Sequence, residues 1–173
     1  VEDILEELLK ENANVVGVVC QPDRLSGRKQ QVSFSPVKML AAANGIPVLQ
    51  PARIREEYEE VLDLDPELIV TCAYGQIIPA AVLDYPRLGC VNVHASLLPE
   101  LRGGAPIQHA IIDGYEKTGI TIMEMDRKMD SGDIIAQREC EISPDDTYGS
   151  LHDRLMELAV ELLKIGRASC RER

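Results

Sequence analysis

The sequence predicts an α/β domain, a mostly parallel sheet flanked by helices. Three observations carry that prediction. Short β-branched apolar runs recur at residues 14–20 (NVVGVVC), 67–73 (ELIVTCA) and 89–94 (GCVNVH), the signature of strands buried on both faces. Segments with helical spacing separate them, as crossover connections require. No repeat and no polar linker divides the 173 residues, a length that suits one core.

The elements follow in order. Residues 1–10 place Ile4, Leu5, Leu8 and Leu9 on one helical face. The strand at 14–20 leads into a polar stretch, 21–34, with Pro22 and Gly27, expected as a long loop. Ser35-Pro36 starts a helix, with Ser as N-cap and Pro at the first helical position, and Gly45 ends it. A short strand is expected at 47–49 and a helix at 53–62. After the strand at 67–73, Pro79 opens a short helix to Leu83. The strand at 89–94 precedes a helix at 106–113 closed by Gly114. Residues 119–125 and 134–138 form a strand pair of antiparallel character, and Thr147 caps a last helix to about Lys164.

Composition narrows the function. Hydrophobic residues make up 45 %, which suits a packed body and not a disordered chain. No apolar run reaches the ~20 residues that cross a bilayer, and no basic-then-apolar leader is present, so a cytoplasmic protein is expected. The five cysteines have wide, irregular gaps and no C-x-x-C pair, which fits reduced thiols better than disulfides or zinc. A net charge of −11 opposes general nucleic-acid binding but leaves room for a local basic patch. The chain opens inside a helical pattern without methionine, and residues 165–173 (IGRASCRER) read as a non-native tail. Residues 1–164 are therefore expected to be the domain proper.

The chemistry concentrates in residues 89–106, GCVNVHASLLPELRGGAP. Side chains alternate on a strand, so Val91 and Val93 point toward packing while Asn92 and His94 share the other face. They stand at the strand's carboxyl end, where open α/β sheets bind ligands. Burying such groups unpaired costs roughly 1–3 kcal/mol each, so hydrogen bonds or a ligand must satisfy them. Tying down the following loop would serve equally. Gly103 and Gly104 allow close backbone approach. A second candidate is Asp130 in the turn Met129-Asp130-Ser131-Gly132-Asp133, although turn formers of this kind also make ordinary turns. His109 and His152 read as surface or structural residues.

Together these residues resemble the folate-dependent formyltransferases. Asn92-Val93-His94-Ala95-Ser96-Leu97-Leu98-Pro99 is similar to the family's signature, and Asp130 sits in the D-S-G-D turn as the family's catalytic aspartate does. The resemblance covers about residues 14–163. It implies a Rossmann-like formyltransferase fold and formyl transfer from 10-formyltetrahydrofolate, a co-substrate, to an amine, with no metal. It implies Asn92, His94 and Asp130 as catalytic residues, and Ser96, Leu97, Leu98 and Pro99 as lining of the folate pocket. It further implies a G-T-P strand ahead of Val1, in the middle of the sheet, and a C-terminal β-barrel domain; neither is in this sequence.

The acceptor is implied by other segments. Residues 21–38, with Arg24, Arg28, Lys29 and Lys38, resemble the loop by which the methionyl-tRNA branch of the family grips the acceptor arm. Positive charge on a loop of an acidic protein suits phosphates. Tyr74-Gly75, Pro79, residues 102–108 (RGGAPIQ) and 118–125 (TGITIMEM) resemble the same branch. Initiator methionyl-tRNA is thus the expected partner, in translation initiation, with no protein partner or membrane implied. A purine-precursor or sugar-nucleotide acceptor, water as acceptor, or a non-catalytic folate-binding module are the alternatives.

Overall fold

The structure is a computed structural model that describes the backbone of residues 1–26 and 31–171, and the side chains of residues 1–23 and 33–164. In chain order the elements are α1 (Glu2–Lys10), β1 (Val18–Val19), β2 (Arg24–Ser26), β3 (Gln31–Ser33), α2 (Pro36–Ala43), β4 (Val48–Leu49), α3 (Glu59–Asp63), β5 (Ile69–Cys72), α4 (Ala80–Leu83), β6 (Cys90–His94), α5 (Pro106–Ile112), β7 (Lys117–Glu124), β8 (Ile134–Glu141) and α6 (Tyr148–Arg171). The fold is α/β, with a mixed sheet flanked by helices. Strand order in the larger sheet is β5-β6-β7-β8. β5 and β6 are parallel, while β6-β7 and β7-β8 are antiparallel.

The core lies between this sheet and α6. Val91 and Val93 of β6, Ile120 and Ile122 of β7, and Leu151, Leu155, Ala159 and Leu162 of α6 are buried in one cluster. The α6 positions fall at helical spacing, and those of the strands alternate, so the two periodicities meet face to face. Each Val, Ile or Leu among them, once buried, contributes ~1.5–3 kcal/mol of transfer free energy. The opposite face of β6 is thereby left to Asn92 and His94.

Local chemistry sets the boundaries. Ser35 Oγ accepts the Lys38 N–H at 3.4 Å, capping α2, and Gly45, at φ +67°, ends it in the left-handed region. Thr147 Oγ1 accepts the Ser150 N–H at 3.3 Å at the head of α6. The expected helix at 53–62 shrinks to α3. Gln76 Oε1 accepts the Ile54 N–H at 2.9 Å and Glu57 Oε2 accepts the Ala52 N–H at 3.0 Å, so side chains satisfy the donors that helix entry would leave open. The expected loop at 21–34 contains the β2–β3 hairpin instead of an unpaired coil. α6 runs beyond Lys164 to Arg171, since Gly166 weakens a helix without ending it.

The expected strand at 14–20 is paired only at Val18 and Val19. These residues run parallel to Val48 and Leu49 in a separate two-stranded sheet. Between β1 and β5 lies an apolar cavity of ≈430 Å³, lined among others by Leu5, Leu8, Val16, Val18, Leu68 and Val70. Among the described residues no helix is long and apolar enough to cross a membrane.

Candidate active site

β6 carries Asn92 and His94 to its carboxyl end, where they open on a cavity of ≈730 Å³. One face of α6 and three segments that join other elements close that cavity. Residues 73–78 follow β5, residues 103–108 enter α5, and residues 125–130 follow β7.

His94 is 7 % exposed, and its two ring nitrogens have different duties. Nε2 lies 3.0 Å from the Leu101 carbonyl oxygen. A carbonyl only accepts, so Nε2 carries the hydrogen. Nδ1 is the nitrogen left to face Asp130, whose Oδ1 lies 3.7 Å away. That distance exceeds a direct hydrogen bond and suits one bridged by a water or closed by a small loop movement.

Asp130 is held by backbone. Its Oδ2 accepts the Gly103 N–H at 2.8 Å, which joins the glycine loop before α5 to the turn after β7. Gly103 sits at φ +90° and Asp130 at φ +47°, left-handed conformations that glycine, and after it Asp, adopt with least cost. Gly132 is required by a close approach. A Cβ there would stand 1.9 Å from the Glu124 carbonyl oxygen, so the turn lies flat on the end of β7 only because residue 132 has no side chain.

Asn92 is oriented from its neighbour strand. Thr71, its register partner on β5, donates to Asn92 Oδ1 at 2.8 Å. The cavity thus brings an amide, an imidazole and a carboxylate to one end of β6. Cys72 also lines it, but burial pushes its thiol above the ordinary range, which leaves it protonated and weakly nucleophilic at neutral pH. Cys90, whose thiol burial and the nearby Asp84 charge push up to about 12, is equally inert.

Ser96, Leu97, Leu98 and Pro99 are placed elsewhere. None lines this cavity. Ser96 is fully buried and donates to the Glu100 carbonyl at 2.6 Å. Thr121 Oγ1 donates to the Ser96 carbonyl at 2.7 Å and accepts the Leu98 N–H at 3.2 Å. Gln137 Nε2 donates to the Leu98 carbonyl at 2.9 Å. The segment is a braced loop behind the site.

Of the expected basic loop, Lys38 is already engaged. Its ammonium bonds Asp23 and Gln50 and stands 4.8 Å over the Phe34 ring. Asp23 is held below the usual carboxylate range, first by that lysine and then by Gln50. Arg28 and Lys29, and the side chain of Arg24, lie outside the described residues.

Sequence reasoning missed one wall. His152, read there as surface or structural, lines the cavity with Tyr148 and Met156 of α6. The Tyr148 and His152 rings stack at 5.6 Å between centroids. The signal was available in the i, i+4, i+8 spacing of the three, offset from the apolar stripe of Leu151, Leu155 and Ala159. His109 conforms to its expectation, exposed and 3.5 Å from Asp113.

A formyl transferase family profile matches residues 1–164. The chain belongs to the formyl transferase family. Over 162 residues it is 58 % identical to a methionyl-tRNA formyltransferase of Bacillus thuringiensis, a match that takes in 92 % of this chain and 52 % of the relative. The chain thus spans about half the length of the curated relatives it matches. Among solved structures, glycinamide ribonucleotide transformylase 1 from Symbiobacterium toebii superposes with TM-score 0.83 at 18 % identity, over 99 % of this chain and 82 % of that one. A formyltetrahydrofolate deformylase from Pseudomonas syringae gives 0.80 at 19 %, over 100 % and 59 %. At such identities the likeness concerns the formyl transferase fold alone.

Proposed function

We propose that this formyl transferase moves a formyl group from N10 of 10-formyltetrahydrofolate to the α-amino group of methionyl initiator tRNA, in the cytoplasm, at the start of translation. The observation that carries the reaction type is the convergence of Asn92, His94 and Asp130 on one cavity. The 58 % identity to methionyl-tRNA formyltransferases supports the acceptor.

The chemistry follows from the groups present. The amine adds to the formyl carbon and creates a tetrahedral oxyanion. Preorganised donors stabilise that charge, and removing one typically costs ~10²–10³ in rate. The Asn92 amide NH₂ is one donor. The His94 imidazole stands beside it on the same face of β6, with Nδ1 turned to the Asp130 carboxylate. The attacking amine must lose a proton and the folate N10 must gain one. Asp130, bonded through Oδ2 to Gly103, turns Oδ1 toward His94, from where it routes that proton through water. No covalent nucleophile takes part. In this reading Ser96, Leu97, Leu98 and Pro99 shape the folate pocket from behind, through the loop they brace, and the Arg24, Arg28 and Lys29 loop meets the tRNA backbone.

The test supplies the full chain with 10-formyltetrahydrofolate and, in separate reactions, methionyl initiator tRNA, glycinamide ribonucleotide, a sugar-nucleotide amine or no acceptor. Formylmethionyl-tRNA as the dominant product is the expected outcome. Free formate without acceptor would instead make the protein a hydrolase, and product on another amine would reassign the acceptor. Arg28→Ala with Lys29→Ala should raise the KM for tRNA and lower the salt dependence of binding, leaving folate affinity intact. Unchanged tRNA kinetics at moderate salt would remove the loop from the interface.

A further inference from the structure

A carboxamide can stabilise an oxyanion with its NH₂ and destabilises one with its C=O, so the rotation state of Asn92 decides whether it helps or harms the reaction. The two ends have nearly the same shape, and something nearby must distinguish them. We propose that Thr71 does so: its hydroxyl is the group that fixes the Asn92 amide with NH₂ turned into the cavity, which makes Thr71 a positioning residue for transfer. This rests on the formyl-transfer reading given above.

Three contacts support it. Thr71 and Asn92 are register partners on parallel strands, so their side chains stand side by side on one face. Thr71 Oγ1 lies 2.8 Å from Asn92 Oδ1, against 3.2 Å from the Val91 carbonyl and 3.2 Å from Met125 Sδ. A hydroxyl has a single proton to give, and the closest acceptor is the amide oxygen. With Oδ1 thus engaged, Nδ2 has no bond to another described residue and faces the cavity that Asn92 lines. The competing arrangement turns the amide over. Nδ2 would then donate to Thr71, whose proton would pass to the Val91 carbonyl. Both bonds would be satisfied, but the amide oxygen would meet the oxyanion. A valine at position 71 keeps the shape and removes the choice.

The experiment compares Thr71→Val and Thr71→Ser with the parent in the full chain, by kcat and KM for 10-formyltetrahydrofolate and for the acceptor, alongside a neutron diffraction map of the parent. The expected result is a kcat about tenfold lower in Thr71→Val, a fraction of the ~10²–10³ that losing a donor outright costs, with both KM values within about twofold. Thr71→Ser should recover most of kcat. The map should place a deuteron on Thr71 Oγ1 directed at Asn92 Oδ1. A parental kcat in Thr71→Val, equal losses in both variants, a change in KM alone, or deuterons on Nδ2 directed at Thr71 would each overturn the assignment. A parent that neither transfers nor hydrolyses the formyl group would remove the functional reading instead, and the neutron map would still decide the contact.

Discussion

The molecule has two halves that are held together differently. In one, β5–β8 run as a continuous ladder with α5 and α6 packed on it, and Ile120, Ile122, Leu151 and Leu155 are fully buried. In the other, β1 pairs only with the two-residue β4, β2 with β3, and an apolar cavity separates β1 from β5. Asn92 and His94 belong to the first half, as does the turn that carries Asp130. Catalysis by charge stabilisation needs donors held within fractions of an ångström. The site therefore stands on the continuous ladder and the segments that follow its strands.

The sharpest break in that comparison is chemical. Asn92→Ala should lower kcat by ~10²–10³ with little effect on unfolding, because under the proposed mechanism it deletes an oxyanion donor; steady-state kinetics with thermal melts checks both parts. Next comes Gly132→Ala. Its Cβ would collide with the Glu124 carbonyl, displacing the turn and Asp130 with it. A misplacement of that size can cost up to about 10²-fold in rate, and the loss should appear in kcat more than in folate affinity.

Much of the first half was legible in the sequence. The alternation in GCVNVH gives the outward pair, and the D-S-G-D turn gives the carboxylate. The Gly103–Asp130 bond was not legible, because residues 27 apart in the chain meet only through the positive φ at each. The burial of Ser96 was equally hidden, since a serine just after a strand gives no sign of which way its loop will turn. In the second half, residues 14–20 announce a strand by composition, yet composition does not provide a partner. The helix expected at 53–62 failed because Gln76, far along the chain, accepts a backbone donor there.

Two smaller effects sharpen the contrast. In native-state hydrogen exchange, amides of β6 and β7 should be protected far longer than those of β1, because exchange follows the opening energy of the local unit. Equal protection in both halves would contradict the division. The last prediction concerns acid. Asp146 accepts two bonds from Arg154, at 2.7 and 2.6 Å, and others from Ser150 and the Ser143 N–H. Its carboxyl is held well below the usual range, chiefly by Arg154. The sign follows from linkage. The stabilisation is complete above the ordinary carboxylate pKa and fades as pH drops below it toward the depressed folded value. Asp146→Asn should lower the melting temperature at pH 7 by a few degrees, and the difference from the parent should narrow as pH falls below about 4.

Thr71, Cys72, Tyr74 and Ile78 line both the gap beside β5 and the cavity at the end of β6, and the buried Tyr74 hydroxyl has no partner among the described residues. Those four side chains are a party wall. Packing on one side of it sets how firmly the other side stands, so a tight fit in the gap steadies the amide that Thr71 touches. A substitution that fills one hollow therefore acts on the lining of the other.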